Sequence, residues 1–318
     1  MSRMLPDGRR LGAHLPLAAG MRKAAERAHE IGADAIQIFT DNPTAWRRRA
    51  EAPKELDDFR ERLEAYGIRP TAIHASYLVN PAGPDPTFHE SSVELLSHEL
   101  AGAPSFGARF VNVHVGSHRG AGVEAGTERV AETVERALAD VDDGPDAARL
   151  VLENSAGGGW GLGATLEELA GIADAIAARG VPVHRVGFCF DTAHAWGAGI
   201  DLADPAATSA FLAGFDARIG IDQLVMVHLN DTRSTLGSRT DRHEHLGAGR
   251  IGAAGLAGVL CHPLLAGATF YLETPGMDDG YDLVNLQRAY AIAAGEPLPE
   301  LPPEAFEVGS ARTRTAPA

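Results

Sequence analysis

The chain has 318 residues, 45% of them hydrophobic and 22% charged, a net charge of −15 and only two cysteines, Cys189 and Cys261. A sizeable core can be buried, no run of 18 apolar residues could span a membrane, and two cysteines make no disulfide framework. The acidity, taken alone, argues against nucleic acid as a partner.

The N-terminal MSRMLPDGRRLGAHL has no apolar stretch of signal-peptide length, so a cytoplasmic protein is expected. Both cysteines lie in apolar runs and are expected to be buried and reduced. Along the chain, short apolar runs alternate with helical patterns. The run at 11–15 precedes MRKAAERAHEIG, and the run at 35–39 precedes ELDDFRERLEAYG. Runs at 71–74 and 110–114 lead to GTERVAETVERALADV, and 150–153 leads to TLEELAGIADAIAARG. Runs at 186–191, 224–229 and 269–273 complete the series. Such short, continuous runs read as parallel strands buried on both faces, and several helical stretches end in glycine. Eight strand–helix units over about 280 residues, with no internal repeat or linker, predict one α/β domain over residues 1–300, a closed (β/α)₈ barrel. An open doubly wound sheet is the alternative. Residues 301–318, LPPEAFEVGSARTRTAPA, are expected to form a poorly ordered tail.

The strand ends carry the chemistry. The third run ends at His74, the fourth at His114, the fifth at Glu153, the sixth at Asp191, the seventh near His228 and the eighth at Glu273. In a barrel these carboxyl ends surround one mouth, where active sites lie. A single histidine ending a strand is more often structural. Six polar ends in succession are hard to explain by packing, because burying that many charges without counter-ions costs too much. The loops add His194, three residues after Asp191, and the pair Asp241 and His243. Nine imidazole and carboxylate candidates suit Zn²⁺, with Mn²⁺ or Fe²⁺ as alternatives, and exceed the needs of one ion. A cluster of two or three ions can generate a hydroxide and clamp the oxygens of a phosphoryl displacement.

Taken in order, GAHLPLAAG (12–20), QIFTDNPTAW (37–46), IHASYLVN (73–80), VNVHVGS (111–117), LENSAGGGWGLG (152–163), FDTAHAWGAGIDL (190–202), HLNDTRSTLGSRTDRHEHLGAGRIG (228–252) and LETPG (272–276) resemble the endonuclease IV family, the zinc-dependent abasic-site endonucleases. The resemblance implies a (β/α)₈ barrel with three metal ions at its mouth. It assigns His74, His114 and Glu153 to one ion, and Glu153, Asp191, His228 and Glu273 to a second. His194, Asp241 and His243 go to a third. It further implies hydrolysis of the phosphodiester 5′ to an abasic site in duplex DNA, leaving a 3′-hydroxyl and a 5′-deoxyribose phosphate, with Glu153 as the catalytic bridge. Trimming of blocked 3′ ends, a monomer, and action on the nucleoid in the cytoplasm are part of the same expectation.

Three divalent ions would move the formal charge from −15 to about −9 and make the mouth locally positive. Arginines fall on loops at that mouth: Arg47, Arg48 and Arg49 after the second run, Arg119 after the fourth, and Arg233, Arg239 and Arg242 after the seventh. Arg47, Arg239 and Arg242 are candidate phosphate contacts, although a solvated helix start explains 47–49 equally well. His14, ending the first run, is a candidate phosphate contact or a structural hydrogen-bonding residue. Tyr77 and Leu78 match the family's pair of duplex-inserting residues. Two positions depart from the family pattern: Thr44 where Arg is usual, and Gly158 where Gln is familiar. Trp160, beside the second, reads first as a cap on the barrel edge, with contact to the lesion strand as the alternative. Asn154 and Asn230 flank ligands and are expected to orient them. The main rival is a metal-dependent sugar isomerase or epimerase, which would need Glu153, Asp191, His228 and Glu273 but not the other five ligands. A non-catalytic relative is disfavoured because no ligand is missing.

Overall fold

The computed structural model describes residues 5–49 and 51–307. Eight parallel strands close into a barrel. They are Leu11–His14, Ala35–Ile38, Thr71–His74, Ala108–His114, Arg149–Glu153, Val186–Asp191, Leu224–His228 and Thr269–Leu272, numbered one to eight below. Strand one pairs with both strand two and strand eight, so no edge is left exposed. This settles the barrel against the open sheet. Strand eight stops one residue short of Glu273, which begins the following loop.

Around the barrel run α1 (Met21–Ile31), α2 (Leu56–Tyr66), α3 (Pro86–Gly102), α4 (Val123–Ala139), α5 (Leu166–Ala178), α6 (Thr192–Ala198), α7 (Pro205–Arg218), α8 (Gly252–Leu260) and α9 (Asp282–Ala294). Local chemistry sets several ends. Gly32 and Gly67 terminate α1 and α2 in the left-handed conformation. Asp85, Thr165 and Asp204 cap α3, α5 and α7 through side-chain oxygens. The helical patterns read from sequence match α1, α2, α4 and α5; α4 begins earlier, at Val123.

The two-residue period of the strands builds the site. One inward layer is apolar: Ala35, Ala72, Val151, Cys189, Met226 and Tyr271 form a small cluster inside the barrel. Two residues further along the same strands the inward positions are Gln37, His74, Glu153, Asp191, His228 and Glu273. The polar layer therefore rests on an apolar plug, with the larger core lying between strands and helices.

Two expectations need correction. Cys261 is only half-buried, while Cys189 is buried. Residues 301–307, expected to belong to a poorly ordered tail, include a short 3₁₀ turn at Pro303–Glu307. Ala305 is buried there and its carbonyl meets His245 Nε2 at 2.9 Å. The rest of the expected tail, 308–318, lies outside the described residues.

Candidate metal centre

All nine predicted ligand residues converge at the carboxyl-terminal mouth. His74, His114 and Glu153 bring donor atoms within 4.8 Å of one another. So do Glu153, Asp191, His228 and Glu273, and so do Asp191, His194 and His243. Asp241 joins the last group, with its carboxylate 3.3 Å from His194 Nε2 and 3.1 Å from His243 Nε2. Two carboxylates are shared. Glu153 lies between the first two groups, and Asp191 lies between the second and third, 3.8 Å from His228 Nδ1 and 3.6 Å from His243 Nε2. The family resemblance alone places Asp191 in the second group only.

Four of the imidazoles are held by one nitrogen and present the other. His74 Nδ1 donates to Ala75 O, His194 Nδ1 to Asn154 O and His243 Nδ1 to Glu273 O, at 2.8, 2.9 and 2.8 Å. His228 is reversed: Nε2 donates to Gln37 Oε1 at 3.0 Å, which leaves Nδ1 facing the carboxylates. A carbonyl acceptor fixes the tautomer and aims the free lone pair, the arrangement of a metal-ligating histidine. Among the described residues, buried Glu153 Oε1, His228 Nδ1 and His243 Nε2 have no hydrogen-bond partner. Orphaned polar atoms that converge at carboxylates fit divalent cations better than they fit a protein-only core.

Amides orient the carboxylates. Asn112 Nδ2 donates to Glu153 Oε2 at 2.6 Å, Asn230 Nδ2 to Asp191 Oδ2 at 2.8 Å, and Gln37 Nε2 to Glu273 Oε1 at 2.7 Å. Asn154 holds the Asp191 backbone through Asp191 N at 2.6 Å. Asn154 and Asn230 thus take the orienting role expected of them. Gln37 and Asn112 were missed, although each is a lone polar residue inside an apolar run, which is a readable signal. His14 is buried, and its Nδ1 lies 3.2 Å from Glu273 Oε1, the contact of the structural alternative. Cys189 sits beneath the site, its donor atom within 4.8 Å of those of Glu153 and His228, and burial pushes its thiol up to about 12.

The strand-seven loop is tied together from within. Asp231, also missed, is fully buried and accepts hydrogen bonds from the amides of Thr232, Gly247, Gly249 and Ile251 at 2.8, 3.0, 3.0 and 3.0 Å. A Cβ on Gly249 would lie 2.3 Å from Asp231 Oδ1, so the GAG turn must stay glycine there. Asp231–Thr232 pairs antiparallel with His243–Glu244, which carries His243 back over the mouth. His245 leaves the site and bonds Asn285 and Ala305. Glu244 and His245 are in none of the ligand groups.

Of the proposed DNA-facing residues, Tyr77, Arg47, Arg239 and Arg242 are exposed and Leu78 is half-buried. The neighbours of Arg47 are engaged elsewhere. Arg49 pairs with Asp41 at 2.7 Å, and half-buried Arg48 lies 3.8 Å from Glu99, whose carboxyl is raised by burial to about 8.

The charges are strongly coupled. Burial would raise Glu153, but the His114 and His228 imidazoles hold it well below the usual carboxylate range. Burial opposes charging of His194 and His243, yet Asp191 and Asp241 hold His194 well above its ordinary value, and Asp241 carries His243 up to about 9. Without cations, protons on these imidazoles balance the carboxylates. Stabilisation from a raised imidazole is complete below its unfolded value of about 6.5 and is lost as pH rises through about 9; that from a depressed carboxylate is lost as pH falls below about 4.5. Chelator-stripped protein is therefore expected to melt at lower temperature at pH 9 than at pH 6. A melting point that is flat over that range would contradict these pairings.

A family model described as a xylose isomerase-like TIM barrel matches residues 25–295. The probable endonuclease 4 of Methanoculleus marisnigri is 40% identical over 283 residues, covering 89% of this chain and 98% of the relative. The chain belongs to the endonuclease IV family. The relative from Halorhodospira halophila is 39% identical over 292 residues, covering 92% and 97%. The crystal structure of endonuclease IV from Thermus thermophilus superposes with a TM-score of 0.77 at 38% identity, covering 90% of this chain and 99% of that one. A D-tagatose 3-epimerase-like protein is also similar, with a TM-score of 0.63 at 20% identity, covering 88% and 96%. That likeness is one of fold.

Proposed function

We propose that this chain is a metal-dependent AP endonuclease of DNA repair, hydrolysing the phosphodiester 5′ to an abasic site in duplex DNA and leaving a 3′-hydroxyl and a 5′-deoxyribose phosphate. The observation that carries the reading is the third group of donors. A sugar isomerase site would be complete with Glu153, Asp191, His228 and Glu273. Here His194, Asp241 and His243 extend it through Asp191, and His74 with His114 extend it through Glu153.

His74, His114 and Glu153 would hold one ion, Glu153, Asp191, His228 and Glu273 a second, and Asp191, His194, Asp241 and His243 a third, with zinc the metal that the donor set suits. Bound there, divalent cations supply activation of water and neutralisation of phosphate charge. The chain's own residues do the rest. Gln37, Asn112, Asn230 and the backbone carbonyls fix each ligand's orientation before substrate arrives, so little reorganisation is needed. Exposed Arg47, Arg239 and Arg242 meet the backbone phosphates, and Tyr77 with Leu78 enters the duplex where the missing base makes unstacking cheapest. The locally positive mouth answers the objection from overall acidity. Trimming of blocked 3′ ends would use the same donors, and action as a monomer on nucleoid DNA belongs to the same reading.

The test is cleavage of a labelled duplex carrying one reduced abasic analogue, in magnesium-free buffer with EDTA. A reduced site cannot be cut by β-elimination, so a nick is hydrolytic. A single nick 5′ to the lesion is expected. No nick from protein carrying three ions per chain would overturn the substrate assignment, and no nick with one ion per chain would favour the sugar isomerase.

A further inference from the structure

Between strand five and α5 the chain reads SAGGGWGLG, residues 155–163. Ala156 and Leu162 are buried, and Gly157, Gly158, Gly159, Gly161 and Gly163 have no side chains. The one large side chain this loop turns outward is Trp160, which is 59% exposed. An indole that capped the barrel edge would be buried. Trp196 in α6 behaves that way, at 7% exposure with its N–H bonded to Ser234 O.

The loop is not loose. His118 N donates to Trp160 O at 3.1 Å, Gly161 N to Gly158 O at 3.0 Å, Leu162 N to Gly116 O at 3.0 Å and Ser155 N to Gly163 O at 3.1 Å. Ser117 and Gly161 form a bridge that ties the loop to the one after strand four. A Cβ on Gly158 would lie 2.7 Å from Arg239 O, so this glycine allows the strand-five and strand-seven loops to close on each other. Trp160 leans on His118, ring centroids 5.7 Å apart at 57°, and leaves the remainder of its surface to solvent. Exposed Arg119 follows His118 directly, and exposed Arg239 is the loop's other neighbour. An outward aromatic face on a loop tied down by its backbone, with an exposed arginine on each of the two neighbouring loops, is the combination that binds single nucleotides of a strand: stacking on the ring and charge for the phosphates.

We propose that Trp160 is a nucleotide-stacking residue for the substrate DNA, on the side of the mouth formed by the loops after strands four, five and seven. The inference rests on the endonuclease reading. It adds a contact to a base or deoxyribose that does not depend on the ions, on loops separate from those carrying Tyr77 and Leu78. Because every base offers a π face, the contact is tolerant of sequence, and its loss costs about tenfold in affinity.

The test uses the full-length, metal-loaded protein and a duplex with one reduced abasic analogue whose 5′ phosphate is replaced by a methylphosphonate to prevent cutting. Trp160→Ala is expected to weaken binding of this duplex about tenfold and to raise KM on the cleavable duplex, with the loss falling on KM and not on kcat. Trp160→Phe, which keeps a ring, is expected to recover most of the affinity. Adding the duplex should quench the tryptophan emission of the parent protein clearly more than that of Trp160→Phe, which retains buried Trp196 and half-buried Trp46 beside Arg47. Equal affinity for parent and Trp160→Ala, or equal quenching of parent and Trp160→Phe, overturns the proposal while leaving the nuclease reading intact. If the parent neither binds nor cuts abasic duplex, both fall.

Discussion

Glu153→Gln is expected to lower incision at least about a thousandfold, because it removes the charge that two ligand groups share. Glu153 is fully buried. Its Oε1 lies 3.5 Å from His114 Nε2 and 3.4 Å from His228 Nδ1, and its Oε2 lies 3.6 Å from His74 Nε2 while accepting the Asn112 amide. Glutamine keeps the shape and one acceptor, so the barrel should fold with unchanged circular dichroism. The substituted amide can no longer offer two anionic oxygens to two groups at once. Metal content measured on the purified variant should therefore fall together with activity. Near-normal turnover with a full complement of metal would refute the shared role of Glu153.

Asp231→Ala is expected to cost about 3–4 kcal/mol of stability and to remove about one ion per chain. The Asp231 carboxylate binds the amides of Thr232, Gly247, Gly249 and Ile251, and Gly252 N lies 3.3 Å from Oδ2. Alanine leaves those donors without their acceptor in a buried loop. Asp241 and His243 hang from that loop. His74, His114, Glu153, Asp191 and His228 end strands, and Glu273 lies one residue beyond one. The loss of metal should thus be selective for the third group, with the first two kept. Denaturant melts and metal analysis on the same preparation check both parts. Lowered stability with metal content unchanged would mean that the loop holds its ligands without Asp231. Asp231→Asn, retaining one acceptor oxygen, should fall between.

The two substitutions probe different origins of order. Glu153 is placed by strand register, which follows from the alternation of side chains along Arg149–Glu153. Asp231 acts through backbone amides spread over 21 positions, and no periodicity announces such a hub. Similarly, Gln37 is close in space to His228 but 191 positions away in sequence. Its role depends on barrel closure, which sets strands two and seven across the mouth from each other.

The sequence by itself marked the eight strands, the four helices with clear amphipathic spacing and the nine candidate donors that converge at the mouth, while closure of the strands into a barrel was decided by the pairing of strand one with strand eight. The reason is that short apolar runs and their polar ends are local patterns, and local patterns survive without coordinates. It also carried the block order that marks the endonuclease IV family. Only the tertiary structure decided that Asp191 is shared between two groups, which imidazole nitrogen faces inward, that His14 serves Glu273, and that Trp160 stands out in solvent. It also decided that residues 303–307 fold back beneath His245. Each of these depends on atoms brought together from distant strands and loops, where a hydrogen-bond partner or the lack of one is fixed by packing and not by spacing along the chain.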